Sequence, residues 1–205
     1  FNNHGSEIIF KRISQNQPDG FLGINIGPNK DTKNKEEDYF TCLSKLTMDA
    51  GYITINISSP NTEGLRSFHN KEEMKKLLVG LNKIKKEKKI DQPIAIKISP
   101  DIDEREIEQI VELVKSQKIQ GLIVSNTTDN NRENLSDIKK NEMGGLSGQP
   151  LKDISTDLIK KFYKETKNDV KIIGVGGVDS GQSAFEKITA GADAVQLYTG
   201  MVYKG

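Results

Sequence analysis

Apolar and polar positions alternate along this chain in two rhythms. Short apolar runs give way to polar loops, and the loops to longer stretches in which apolar side chains recur at helical spacing. The runs predict strands over residues 21–26, 52–57, 93–98, 121–125, 171–175 and 194–197. A helix is predicted over 36–48, with Tyr39, Cys42, Leu43 and Leu46 on one face. Another spans 71–88, with Met74, Leu77, Leu78, Leu81 and Ile84 aligned. The next carries Ile107, Ile110, Val111 and Val114, and either Asp101 or Asp103 can cap it. Further helices are expected over 154–164 and 182–190, with a lead helix over 6–13 and a long polar loop over 126–149.

Strands that read as unbroken apolar runs are buried on both faces, which predicts a parallel sheet in an α/β fold. Two architectures fit, an open doubly wound sheet and a (βα)8 TIM-type barrel. The barrel needs eight units where six are visible, so it would place two units upstream of Phe1. The chain opens on Phe rather than Met, which agrees with residues lying beyond its ends. No linker or second domain is visible, and residues 1–205 read as one domain.

Composition narrows the function classes. Thirty basic residues face 29 acidic ones, a net charge of +1, so a nucleic-acid partner is not expected. The lysines between positions 71 and 89 are mixed with glutamates, as on a solvated helix face. Cys42 is the single cysteine, so no internal disulfide forms and a reducing compartment is consistent. No apolar run is long enough to cross a bilayer, and no signal peptide stands at the start.

In either architecture, functional groups gather at the C-terminal ends of the strands. Those ends hold Asn25 and Gly27; residues 56–61; Lys97 and Ser99; residues 125–128; Gly176 and Gly177; and residues 198–200. They are rich in amides, hydroxyls and glycines, without the clustered His, Cys or carboxylates of a metal site. His4 and His69 lie outside any nucleophile-elbow pattern. The set suits a ligand with many carbonyl and N–H edges, and a cofactor that carries the hard chemistry. Gly176 and Gly177, with the downstream Tyr198-Thr199-Gly200, read as a phosphate site, because glycine lets backbone N–H groups approach closely. Lys97 stands among Ile94, Ala95, Ile96 and Ile98, an interior position best explained by an anionic ligand. Ser59 precedes Pro60, which holds it extended. On its own it reads as turn chemistry first and as a catalytic base second.

Taken in order across nearly the whole chain, the motifs resemble class 2 dihydroorotate dehydrogenases, the flavin enzymes of pyrimidine biosynthesis. The matching stretches are Phe1-Asn2-Asn3-His4-Gly5, Leu22-Gly23-Ile24-Asn25-Ile26-Gly27, Ile55-Asn56-Ile57-Ser58-Ser59-Pro60-Asn61-Thr62 and Lys97-Ile98-Ser99-Pro100-Asp101. With them go Ser125-Asn126-Thr127-Thr128, Gly144-Gly145-Leu146-Ser147-Gly148, Ile173-Gly174-Val175-Gly176-Gly177 and Gln196-Leu197-Tyr198-Thr199-Gly200.

The resemblance implies a (βα)8 barrel with FMN at its C-terminal face. This chain would carry strands three to eight, with the first two βα units and a C-terminal helix outside it. It implies Ser59 as the base for carbon 5 of dihydroorotate, with hydride leaving carbon 6 for FMN and electrons passing to a quinone. Class 1 relatives place Cys at the base position, so Ser59 points to class 2. Asn56, Asn61, Asn126 and Thr127 would bind orotate, with Phe1 at its edge. Asn25, Asn56, Lys97, Ser125, Gly148, Gly177, Tyr198 and Thr199 would contact FMN, with Gly176 and Gly200 shaping the phosphate turn. Loop 61–70 would close over the substrate, and Thr54, Thr62 or a water would relay the proton. An upstream segment would meet the membrane surface, on the cytoplasmic face of a bacterial inner membrane or at a mitochondrial inner membrane. Glu63 and Ser125 depart from the family's usual residues. A flavin- or phosphate-binding barrel without this turnover is the competing reading. A flavin barrel for another pyrimidine is disfavoured by the Ser-Ser-Pro-Asn-Thr loop.

Overall fold

In the computed structural model, which describes residues 3–16, 19–45, 50–62, 64–130 and 132–205, six strands lie side by side in chain order. They are β1 (Gly23–Ile26), β2 (Tyr52–Asn56), β3 (Ile94–Lys97), β4 (Gly121–Val124), β5 (Lys171–Val175) and β6 (Ala194–Gln196). Each neighbouring pair is parallel. A doubly wound sheet reverses its strand order at a switch point. This sheet never reverses, so the open alternative is excluded. It also curls: Gln196 Nε2 on β6 donates to Tyr52 Oη on β2 at 3.0 Å. The result is a half-barrel wall with β1 and β6 at its two edges.

Seven helices accompany the strands among the described residues: α1 (Ser6–Gln15), α2 (Lys35–Lys45), α3 (Lys71–Lys88), α4 (Glu104–Ser116), α5 (Lys152–Thr166), α6 (Gly181–Thr189) and α7 (Thr199–Lys204). From α2 to α6 each packs beside the next around the convex face. Ile24, Ile53, Ile55, Ile96, Leu122 and Val124 point outward beneath them and are buried with Leu43, Leu78, Ile110 and Phe162. Each such side chain contributes about 1.5–3 kcal/mol on burial, so this layer holds the wall in place.

Residues of opposite parity face the hollow. The strand register aligns Asn25 with Thr54 and Asn56 with Lys97, and Lys97 with Ile123. The concave face is therefore mixed rather than apolar, unlike the strands' outer side. Tyr52 lies across its floor over Gly23, where any side chain would enter the Tyr52 ring.

Element ends differ from the sequence expectation for local reasons. β1 begins at Gly23, and Phe21 instead stacks on Tyr52 with ring centroids 5.8 Å apart. Asp103, not Asp101, caps α4. Its carboxylate accepts from Glu106 N–H at 2.8 Å, and Glu106 accepts from Asp103 N–H at 2.9 Å. The expected helix over 36–48 is α2 as far as Lys45, and Leu46 and Met48 lie outside the described residues. A 3₁₀ turn, Leu65–His69, and the short α7 were not expected.

Candidate functional site

Asn56 ends β2, and its neighbours fix its direction. Tyr39 of α2 donates its hydroxyl to Asn56 O at 2.6 Å. Burial, with Asp38 beside it, holds the Tyr39 phenol far above its ordinary pKa, so it remains a donor. Ser58 is fully buried and donates to Lys97 O at 2.7 Å. Asn126 Nδ2 donates to Asn56 Oδ1 and to Ser58 Oγ, both at 3.0 Å. Thr127 N–H donates to Asn126 Oδ1 at 2.8 Å. Asn126 thus spends both its N–H bonds within the protein and acts as an orienting amide. Asn56 has its oxygen occupied, and among the described residues its NH2 group meets no acceptor. The sequence read Tyr39 only as part of an apolar helix face and gave Ser58 no role of its own. The signal for Ser58 was its parity with Asn56, since residues two apart at a strand end share a face.

Ser59 stands in the turn its neighbours predict. Asn61 N–H donates to Ser59 Oγ at 3.3 Å. A hydrogen bond to the oxygen favours its negatively charged form, so the turn eases loss of the hydroxyl proton at that atom. Gly145 closes against Thr127 and Pro60, and Asn61 Oδ1 lies 3.7 Å from where a Gly144 side chain would begin. That return of the long β4–α5 loop is organised by Arg132. It donates to Lys140 O at 3.0 Å and Glu142 O at 2.8 Å, and also to Gly144 O.

Beyond the turn, Arg66 ties three loops together. Its guanidinium meets Asp101 at 3.0 Å and Asp129 at 2.8 Å. Thr128 Oγ1 donates to the other oxygen of Asp101 at 2.5 Å. His69 is buried, donates from Nδ1 to Arg66 O at 3.0 Å, and accepts Ser99 N–H on Nε2 at 3.2 Å. The sequence marked Arg66 and His69 with no role, because their partners lie on other loops.

The loops after β5 and β6 meet the end of the β4 loop. Gly148, Gly176 and Gly177 have φ of 80°, 121° and 71°, a region that favours glycine. A side chain on Gly148 would start 3.1 Å from Thr199 Cγ2, and one on Gly177 2.5 Å from Lys152 Cβ. Thr199 Oγ1 donates to Ser147 Oγ at 2.9 Å, and Gln149 Nε2 to Gly177 O at 3.5 Å. Gly200 sits against Val178 O. Tyr198 is largely exposed. Ser125 is buried, and its hydroxyl donates to Asn126 O at 3.1 Å. Phe1 lies outside the described residues.

Lys97 enters the hollow of the half-barrel, a cavity of about 70 Å³ shared with Asn25, Tyr52, Thr54, Ile123 and Gln196. Burial pushes its ammonium below the usual lysine range, and no carboxylate among the described residues offsets it. A half-buried, desolvated cation without a counter-charge suits an anionic ligand above it. An FMN-like molecule fits this donor set: an ammonium and amides in the hollow, and a glycine cradle that a Cβ would fill at the rim. Among the described residues no three His, Cys, Asp or Glu side chains gather as a metal site. A second hollow of about 400 Å³, lined by Lys115, Gln120 and Asp169, lies at the opposite ends of the strands. Lys115 and Asp169 are paired there at 3.0 Å, far from the loops described above.

Comparison with known proteins agrees with this arrangement. The family described as dihydroorotate dehydrogenase matches residues 1–205. A dihydroorotate dehydrogenase (quinone) of Vibrio cholerae is 46% identical over 212 residues, covering 100% of this chain and 63% of that protein. Its namesake in Bartonella tribocorum is 43% identical over 209 residues, covering 100% of this chain and 58% of that protein. The crystal structure of DHODH from Eimeria tenella in complex with ferulenol matches with a TM-score of 0.94 at 33% identity, covering 100% of this chain and 61% of that one. The chain spans about three fifths of the length of these relatives.

Proposed function

The chain belongs to the dihydroorotate dehydrogenase family, and on that premise we propose that the full-length protein oxidises dihydroorotate to orotate, with FMN as its flavin and a quinone as electron acceptor. Residues 1–205 would form the greater part of one FMN-binding barrel domain. β1 and β6 are the edges at which two further strands would close it. The observation that carries the reading is Lys97, a half-buried ammonium without a carboxylate partner among the described residues, facing the hollow beside Asn25 and Thr54.

When bound, FMN supplies the two-electron acceptor that the oxidation needs. The chain's own residues do the rest. Ser59 Oγ takes the proton from carbon 5 of the substrate as its own hydroxyl proton passes to a relay, Thr54, Thr62 or a water, and the Asn61 N–H steadies the negative charge that appears on that oxygen as its own proton leaves. Asn56 presents its NH2 to a substrate carbonyl, held in direction by Asn126 and Ser58. Asn61 and Thr127 flank the same space against Gly144 and Gly145. Lys97 supplies positive charge in the hollow, with Asn25, Ser125 and Tyr198 around the flavin site. Gly148, Gly177 and Thr199 receive the phosphate end, where Gly176 and Gly200 shape the main chain. The quinone would be met at a membrane surface through a segment upstream of Phe1. No helix among the described residues is long and apolar enough to cross a membrane.

The purified full-length protein should be yellow, bleach when dihydroorotate is added without oxygen, and recover its colour with a quinone. A folded but colourless protein would end the cofactor assignment. A yellow protein that dihydroorotate leaves unbleached would end the proposed reaction and keep only a flavin-binding barrel.

A further inference from the structure

On the helix side of β5, directly behind the Gly176–Gly177 turn, α6 buries a lysine. Lys187 has no solvent exposure, and its Cβ packs 3.2 Å from where a Gly174 side chain would begin. Its Nζ donates to Lys152 O at 2.7 Å, and to Ser155 Oγ and Thr156 Oγ1 at 2.6 Å each. All three donors are satisfied, and all three acceptors are uncharged. The neighbouring carboxylates are engaged elsewhere or exposed. Glu186 pairs with Lys152 at 2.7 Å, Asp157 pairs with Lys160 at 2.9 Å, and Asp153 faces solvent. A methionine or leucine would fill this space without the cost of desolvating a charge.

Ser155 carries the connection onward. Its hydroxyl accepts from Lys187 and donates to Gly176 O at 3.1 Å or to Lys152 O at the same distance. In a trans peptide the C=O and the following N–H point in opposite directions. Holding the Gly176 carbonyl toward Ser155 therefore turns the Gly177 N–H away from Ser155. We infer that Lys187 is a positioning residue for a phosphate ester at this turn. Through Ser155 it fixes the Gly176–Gly177 peptide so that the Gly177 N–H faces the phosphate, and its charge sits behind the same peptide. This rests on reading the turn as the phosphate site.

Burial lowers the Lys187 ammonium to about 8, against the opposing pull of Asp153, Glu186 and Asp157 and with Lys152 adding to the lowering. Below that pH the charge is present, and above it the charge is lost. Phosphate affinity should therefore fall as pH rises through this range.

The test compares FMN with riboflavin, which lacks the phosphate, on full-length protein stripped of flavin, by fluorescence titration. Lys187→Met should weaken FMN about tenfold and leave riboflavin unchanged, as for loss of a charge-assisted contact. It should also flatten the pH dependence of the FMN-to-riboflavin ratio, and Ser155→Ala should move the ratio in the same direction by less. Equal weakening of both ligands would assign Lys187 a structural role only and overturn the inference, as would an unchanged ratio. If wild-type protein itself binds FMN no tighter than riboflavin, the phosphate reading fails first and takes the inference with it. Should Lys187→Met not fold, Ser155→Ala decides, and an unchanged FMN-to-riboflavin ratio in that variant overturns the inference.

Discussion

The rim of the half-barrel is built in two ways. After β2, β3 and β4, side chains hold the loops: Arg66 bridges Asp101 and Asp129, His69 meets Ser99, and Asn126 orients Asn56. After β5 and β6 the main chain does the work, with Gly176, Gly177 and Gly200 where any Cβ would collide, and Gly148 at the end of the β4 loop close against Thr199. The difference follows from what each end would hold. A planar substrate is recognised by the direction of its edges, so the amides that read it must be locked by buried neighbours. A phosphate is recognised by proximity to N–H groups, so side chains there are an obstruction. Damage to the first end should therefore appear in turnover and loop stability, and damage to the second in cofactor affinity.

The largest expected effect tests that division at the substrate end. Ser59→Ala should lower turnover of dihydroorotate about 10²–10⁴-fold, the usual worth of a general base, while orotate binding stays near wild type. Rapid-mixing measurement of flavin reduction checks it, and retained turnover would remove Ser59 from the role. At the other end, Gly177→Val should weaken FMN about 100-fold, since a Cβ there begins 2.5 Å from Lys152 Cβ at a φ of 71°. Gly27→Ala is the control, because its nearest neighbour would be 3.7 Å away. Equal FMN affinity in both variants would break the comparison.

The six strands and six of the seven helices were legible because their apolar positions repeat with the period of each element. The candidate site was legible in part, for the same reason: Asn25, Asn56, Lys97 and Gly177 stand at strand ends, where α/β folds gather function. What escaped reading was everything that depends on contact between loops. Asp101 looked like a helix cap, yet its carboxylate is taken by Arg66 and Thr128 while Asp103 caps α4. Arg132 looked like one polar residue in a long loop, yet three carbonyls from further along that loop converge on it. Lys187 lay within a predicted helix whose spacing gave no hint that a cation faces inward. Periodicity reports which face an element buries, and it does not report which distant polar group waits there.

The Arg66 clamp gives an intermediate effect. Arg66→Ala leaves Asp101, nearly buried, without its cation, and should destabilise the folded protein by about 2 kcal/mol in urea denaturation. It should also raise KM for dihydroorotate more than it lowers kcat, because it frees the end of the loop that carries Ser59 and Asn61. Asp129→Asn should cost less, since that carboxylate is half exposed. If the two variants prove equal, the pairing with Asp101 is not what fixes the loops.

The smallest effect is a pH dependence from His69. Its Nδ1 donates to Arg66 O and its Nε2 accepts from Ser99 N–H, so the folded protein holds one neutral tautomer. A proton on Nε2 would face that N–H instead of accepting from it. Burial lowers the His69 pKa from its ordinary 6.5, only partly offset by the bond to the Arg66 carbonyl. The unfolded chain therefore takes up the proton first as pH falls. The stability that His69 contributes is complete above 6.5 and is lost as pH falls from there through the folded value. Most carboxylates titrate lower, so the step from about pH 7 to about pH 5 isolates the histidine. Wild-type protein should lose stability across that step in urea denaturation. His69→Gln keeps an amide oxygen for the Ser99 N–H and has no proton to gain, so its loss should be smaller. Parallel losses in the two proteins would place the acid sensitivity elsewhere and leave the His69 contact as packing alone.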